Sequence, residues 1–368
     1  MTSLQGRILT PTGWQDGGIQ FEDSIENISQ ASMPQHVPYI VPGFIDVHVH
    51  GGGGFDTMDG IAGIRGMAAF HAKHGSTGLL ATTITNPWQN ITTALENAKS
   101  VMLEPNAGAR VLGVHLEGPF VSPQRLGAQP NFVVEPTPER VQELLAFDVI
   151  RVVTIAPEQP QALEACELFA RAGVRVSIGH SIASTDQVEI AIRIVQNAGG
   201  FSSGTHLFNA MGGLEGRNPG IVGAILANPD VWAELILDGH HVHFLSFKTA
   251  FNAKPERLML ITDAMRAAGM PDGAYDLGGQ LAHVADGTAR LENGSLAGSL
   301  LTMDQAVRNA VQAGLELATA IQLASSHPAT YLGLSKKGRL EPGCDADIVV
   351  LDDQLEVQAV FVAGIQVA

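Results

Sequence analysis

The sequence predicts an α/β protein built on a (β/α)₈ barrel of the TIM type, with a small β-sandwich domain made from both chain ends. Three observations lead there. Short apolar runs alternate eight times with helix-period segments through the middle of the chain. His, Glu and Asp residues recur where those runs end, and the first and last stretches are instead rich in β-like pieces and turns.

The expected strands cover residues 44–50 (FIDVHVH), 78–85 (GLLATTIT), 111–117 (VLGVHLE), 149–156 (VIRVVTIA), 174–180 (VRVSIGH), 201–207 (FSSGTHL), 233–238 (AELILD) and 257–263 (RLMLITD). Several are nearly unbroken apolar runs, as parallel strands covered on both faces require. Helix-period apolar spacing falls at 62–74, 91–103, 139–146, 161–172 and 185–197, with Gly75, Gly173 and Gly199 placed as C-terminal stops. The alternation alone also fits a doubly wound open sheet. Residues 1–43 (GRILTPTGWQDGG, then PYIVPG) and 337–368 (ADIVVLDD, AVFVAG) are expected to pair into the small domain, leaving 44–336 for the barrel.

At 368 residues, 45% hydrophobic and 16% charged, the chain has the make-up of a folded enzyme rather than a disordered one. A formal charge of −16 argues against nucleic acid or an anionic membrane as partner. An anionic substrate would have to be met by a few local positive groups. Cys166 and Cys344 lie in unlike contexts and read as unpaired thiols of a reducing compartment. No N-terminal apolar leader and no run approaching roughly 18 apolar residues is present, so cytoplasmic residence is expected.

His48 and His50, two apart at the end of the first strand, share a face and can offer two ligands to one metal. Alone, such a pair is equally a structural feature. It is not alone: Glu117 ends the third strand, His180 the fifth, His206 the sixth and Asp263 the eighth. In a barrel those ends converge on one mouth, where active sites lie. The donors suit zinc, iron or a related divalent ion. A metal centre activates water and polarises a carbonyl, and a hydrolytic step then needs a carboxylate to carry the proton. Asp263 is the strand-end acid left for that task once Glu117 is a ligand. His115 shares a face with Glu117 and reads equally as a support to the ligands or as a buried hydrogen-bonded histidine. At least one of His240, His241 and His243, which follow the seventh strand, is expected at the mouth. His71 and His74, on a surface helix, and His36 and His283, in loops, are expected in solvent. No serine nucleophile competes, since Ser181 in GHS lacks the elbow spacing.

These residues resemble the N-acetylglucosamine-6-phosphate deacetylases of the amidohydrolase superfamily. The resemblance runs through PGFIDVHVHG (42–51), HLEGPF (115–120), APE (156–158), GHS (179–181), THLFNAM (205–211), DGHHV (238–242), TDAM (262–265), LAGS (296–299) and the closing GRLEPGCDADIVVLD. It implies a metal-dependent hydrolysis of N-acetyl-D-glucosamine 6-phosphate to D-glucosamine 6-phosphate and acetate, in a homodimer. It also implies that Glu117, His180 and His206 hold the principal ion and that Asp263 is general base, then acid. Asn209, Ala210 and His241 match positions that hold the sugar phosphate. Arg217 matches an arginine that reaches the phosphate across a dimer interface. Zinc is the expected metal, iron the alternative, and the His48/His50 pair leaves one or two ions open. Leu126-Gly127-Ala128-Gln129-Pro130 departs from the family's usual Lys-Gly-small-His-Asn-Pro. Gln129, expected to contact substrate, donates a neutral hydrogen bond, which would stabilise an oxyanion less than a charged donor by about 1 kcal/mol or more. That departure leaves a different N-acyl amino sugar, such as the galactosamine isomer, as the alternative substrate; a noncatalytic binding barrel and other amidohydrolase reactions, such as deamination, are the remaining alternatives.

Overall fold

In the computed structural model, residues 1–104 and 108–368 are described. All eight expected barrel strands form: β1 (Phe44–Val49), β2 (Ser76–Thr83), β3 (Arg110–Glu117), β4 (Ile150–Ile155), β5 (Arg175–Ile178), β6 (Ser202–Gly204), β7 (Trp232–Ile236) and β8 (Leu258–Ile261). They pair in parallel in sequence order, which settles the choice against a doubly wound sheet. No ladder joins β8 to β1. That seam is closed instead by the Asp263 N–H donating to His48 O (2.8 Å) and by buried Asp46, which accepts from the Thr262 hydroxyl at 2.5 Å. Burial pushes the Asp46 carboxyl up to about 6 against these hydrogen bonds.

The five expected helices are all present, and their ends follow from the local sequence. Thr185–Asn197 starts at Ser184, whose hydroxyl accepts from Gln187 N while the Gln187 side chain returns to Ser184 N. Its buried residues Val188, Ala191, Ile192 and Val195 form one stripe against the strands. Pro138–Leu145 begins at the Thr137 cap with Pro138 in its first turn.

Strands from both ends make one seven-stranded sheet in the order 365–366, 357–362, 348–351, 39–42, 2–10, 13–21, 25–30. Phe21 and Phe361 stand four strands apart in that order, about 19 Å on a flat sheet. Their ring centroids are 5.2 Å apart. The sheet therefore folds over into a sandwich, filled by Ile8, Ile19, Phe21 and Ile25 from one side and Ile348, Val350 and Phe361 from the other.

Three features depart from expectation. A three-stranded antiparallel sheet (Gly273–Leu277, Gln280–Ala285, Thr288–Leu291) is inserted after β8. His283 lies in its middle strand rather than in a loop. His71, expected in solvent, is fully buried in the helix Gly60–Ala72, with Nε2 2.9 Å from Gly51 O. Burial lowers His71 to about 4, so it sits neutral and donates that hydrogen bond. Cys166 and Cys344 are both free, as expected.

Candidate active site

The side chains expected at the mouth come from the residues that leave the barrel strands, and the backbone bends sharply there. His180, His206 and Asp263 have φ of 47°, 31° and 49°. A residue other than glycine at positive φ is strained by about 1–3 kcal/mol, a cost that persists where surrounding structure fixes it, and such residues concentrate at functional sites. These turns swing each side chain off its strand axis toward the centre.

Two trios of donors meet there. In one, the Nε2 atoms of His180 and His206 lie 3.1 Å apart and 3.1 and 3.0 Å from Glu117 Oε1. In the other, His48 Nε2 and His50 Nε2 are 3.4 Å apart and lie 3.5 and 3.2 Å from Asp263 Oδ1. Four ligands around an ion at about 2.0–2.1 Å lie about 3.3 Å from one another, so both trios have the spacing of one ion's donors. Glu117 belongs to both: its Oε2 is 3.1 Å from His50 Nε2. Either trio could hold a divalent ion, with Glu117 between them.

Outer groups fix the tautomers. His48 Nδ1 lies 2.9 Å from Glu234 Oε2, and His180 Nδ1 lies 2.9 Å from the carbonyl of Arg125. Each partner only accepts, so each Nδ1 carries the hydrogen and each Nε2 lone pair faces inward. His115 donates its Nδ1–H to Val47 O (3.0 Å), while Nε2 meets Thr154 Oγ1 at 2.8 Å. Its nitrogens are spent, and burial lowers it to about 4; it is the hydrogen-bonded support, not a ligand. Thr154, Thr205 and Ser177 continue a chain of hydroxyl contacts across β4, β5 and the turn after β6 (3.0 and 2.6 Å) to Glu234.

Burial alone would drive His48 and His50 neutral, but the facing carboxylates outweigh it. His48 is held well above the usual imidazole value by Glu117 and Asp263, and His50 is raised to about 9. Against the burial that would raise them, His48, His180 and His206 hold Glu117, and His48 and His50 hold Asp263, below the usual carboxylate range. Protons and a divalent cation thus compete for one set of donors.

Above the trios opens a cavity of about 290 Å³ lined by His50, Glu117, Gln129, His180, His206, Asn209, Ala210, His241 and Asp263. His241 is gripped by Asp238 through its Nδ1 at 2.6 Å. The inserted sheet supplies Leu277 to the rim and holds the 127–129 loop through Gln280 Nε2 donating to Ala128 O (2.7 Å). Two expected residues do not line this cavity: His48 is fully buried within the second trio, and Arg217 is exposed in the loop 212–219. A larger cavity of about 630 Å³, lined by Val101, Arg110 and Val362 among others, has mostly apolar walls and lies away from both trios.

A sequence profile described as the amidohydrolase family matches residues 39–367. The chain belongs to the amidohydrolase family. This amidohydrolase is 42% identical over 332 residues to an N-acetylglucosamine-6-phosphate deacetylase of Lysinibacillus sphaericus, covering 89% of this chain and 84% of that one. It is 40% identical over 369 residues to an N-acetylgalactosamine-6-phosphate deacetylase of Escherichia coli O157:H7, covering 97% of each. Among solved structures it resembles an aspartate-to-alanine mutant of N-acetyl-D-glucosamine-6-phosphate deacetylase from Mycobacterium smegmatis in complex with N-acetyl-D-glucosamine-6-phosphate. The TM-score is 0.90 at 36% identity, covering 100% of this chain and 99% of that one.

Sequence reasoning missed two parts of this amidohydrolase's site. Glu234 carries a signal: it is a charged residue inside the apolar run WAELI, where an unpaired carboxylate would be costly. The inserted sheet also has one, since Gly278-Gly279 and Asp286-Gly287 are two-residue turns between alternating apolar positions, with all four φ positive.

Proposed function

We propose that this amidohydrolase is a metal-dependent deacetylase that hydrolyses N-acetyl-D-glucosamine 6-phosphate to D-glucosamine 6-phosphate and acetate. The observation that carries the reading is the pair of donor trios sharing Glu117, with Asp263 at the floor of a sugar-sized cavity. Glu117, His180 and His206 hold the principal ion, and His48, His50 and Asp263, with Glu117 shared, form the second site. Imidazole and carboxylate donors suit zinc, with iron the alternative. Bound there, the ion supplies Lewis acidity toward water and the acetamide carbonyl.

The chain's own residues do the rest. Asp263, ionised and 8% exposed, accepts a proton from the attacking water and returns it to the departing nitrogen as the C–N bond breaks. Asn209, Ala210 and His241, in the segments that follow the neighbouring strands β6 and β7, orient the sugar phosphate. Gln129 also lines the cavity. Arg217 meets the phosphate from the other subunit of a homodimer, which accounts for its distance from its own cavity and for anion binding by an acidic chain. We assign the chemistry to residues 44–336 and a supporting role to the domain formed by 1–43 and 337–368. Two free buried thiols support residence in the cytoplasm, and no helix among the described residues is long and apolar enough to cross a membrane.

The galactosamine isomer is the second reading, favoured by the Escherichia coli relative that matches nearly end to end. Acetate release from the two epimers in parallel separates them. A higher kcat/KM for the gluco substrate supports the first reading, and the reverse order replaces it with the second.

A further inference from the structure

Gln129 is better placed to act on Glu117 than on a substrate. Its side chain is almost fully enclosed, and both ends of its amide are engaged: Oε1 accepts from the Thr85 backbone N–H at 2.7 Å, and Nε2 donates to Glu117 Oε2 at 2.5 Å. A backbone N–H can only donate, so the atom facing Thr85 must be the carbonyl oxygen, and the nitrogen must face the carboxylate. The amide has one possible orientation. Its bond to Glu117 is charge-assisted and buried, the class of hydrogen bond that positions most firmly.

The grip is on the far side of the carboxylate from His180 and His206. Those imidazoles face Oε1, while Oε2 is shared by Gln129 and His50. A partial rotation about the last bond of Glu117 would carry both oxygens away from these partners, so Gln129 and the facing imidazoles together fix the plane of the carboxylate. Thr85 is itself anchored, because Gly118, the residue after Glu117, packs against it so closely that a Cβ would collide with the threonine side chain. Glu117, Gly118, Thr85 and Gln129 close a circuit around one carboxylate.

We propose that Gln129 is a positioning residue for Glu117, holding the carboxylate so that one oxygen faces His180 and His206 and the other faces His50. This rests on the reading of Glu117 as a metal ligand. The task needs a side chain of this reach that accepts at one end and donates at the other. Glutamine does so, and so does a neutral imidazole with one ring nitrogen in each role. A methionine fills the space without either bond, and a glutamate would turn a second carboxylate toward Glu117.

The test compares Gln129→Met, Gln129→Glu and Gln129→His with the parent enzyme. Apoprotein is titrated with zinc against a competing chelator, and kcat, KM and melting temperature are measured beside it. Removal of an outer hydrogen-bond partner to a metal ligand typically weakens metal binding by about 10- to 100-fold. Gln129→Met is expected to lose zinc affinity in that range and to lose kcat, with KM within about twofold of the parent. Gln129→Glu is expected to lose more, and Gln129→His to stay near the parent in zinc affinity. Unchanged zinc affinity in Gln129→Met, with KM raised, would make Gln129 a substrate contact and overturn the proposal. A loss in Gln129→His as deep as in Gln129→Met would overturn it too. The titration uses no substrate, so it is decided even if the acyl sugar is wrong, and melting temperatures separate local loss of the ion from general unfolding.

Discussion

Replacing Glu234 by Gln isolates what an outer carboxylate does for this site. Glu234 is fully buried in β7, and its Oε2 accepts the Nδ1–H of His48 at 2.9 Å, the single interaction that fixes which nitrogen of His48 faces Asp263 and His50. Glutamine keeps the volume and an accepting oxygen but removes the charge that strengthens the bond and raises the basicity of Nε2. Loss of such a partner weakens metal binding by about 10- to 100-fold. At 1.36 kcal/mol per factor of ten that is about 1.4–2.7 kcal/mol. The loss is expected at the His48/His50/Asp263 trio alone, because Glu234 makes no contact with His180 or His206 within hydrogen-bond reach. Zinc titration against a chelator, with metal content measured on the dialysed protein, is expected to show one ion weakened and the other retained. Equal weakening of both ions, or no weakening of either, would refute the role given to Glu234.

Other consequences are separately testable. Burial lowers the pKa of His71 to about 4 in the folded state against an ordinary value near 6.5, so between those values the folded state binds fewer protons; full stability is present above about pH 6.5 and is lost as pH falls toward 4. Urea unfolding across that window is expected to show a pH slope that flattens in His71→Gln by about 3 kcal/mol in total, and an unchanged slope would refute it. Arg217→Ala is expected to raise KM for the phosphorylated sugar with kcat nearly unchanged, and to leave KM for the unphosphorylated sugar alone; sedimentation should show a dimer. Phe361→Ala removes a ring packed on Phe21 and should destabilise the terminal sandwich by about 3–5 kcal/mol, lowering the melting temperature while the metal content per folded chain holds.

Much of this was legible in the sequence. Strand existence was readable because parallel barrel strands are apolar on both faces, and β2, TGLLATT within Ser76–Thr83, is buried along its whole length. The residues that meet at the mouth were readable because His48, Glu117, His180 and Asp263 interrupt or end those runs, where packing alone offers no reason for them. His71 was misplaced because its helix has little amphipathic contrast, with Gly63, Ile64, Met67 and Ala68 on the buried side and small residues elsewhere, so the face it occupies could not be assigned. The grip of Gln129 on Glu117 joins residues 12 apart through a loop, and the Glu234–His48 bond joins residues 186 apart across the barrel; neither spacing has a local signature. Arg217 remains where a single chain leaves it, on the surface.

The most direct measurement is release of acetate and free amine from N-acetyl-D-glucosamine 6-phosphate by the purified enzyme, before and after chelation, beside Asp263→Asn with its metal content determined. Turnover that is abolished by chelation, restored by zinc, and lost in a metal-loaded Asp263→Asn variant is the expected result. An Asp263→Asn enzyme that binds metal and still turns over at the parent rate, or a metal-loaded parent that releases no acetate, would contradict it.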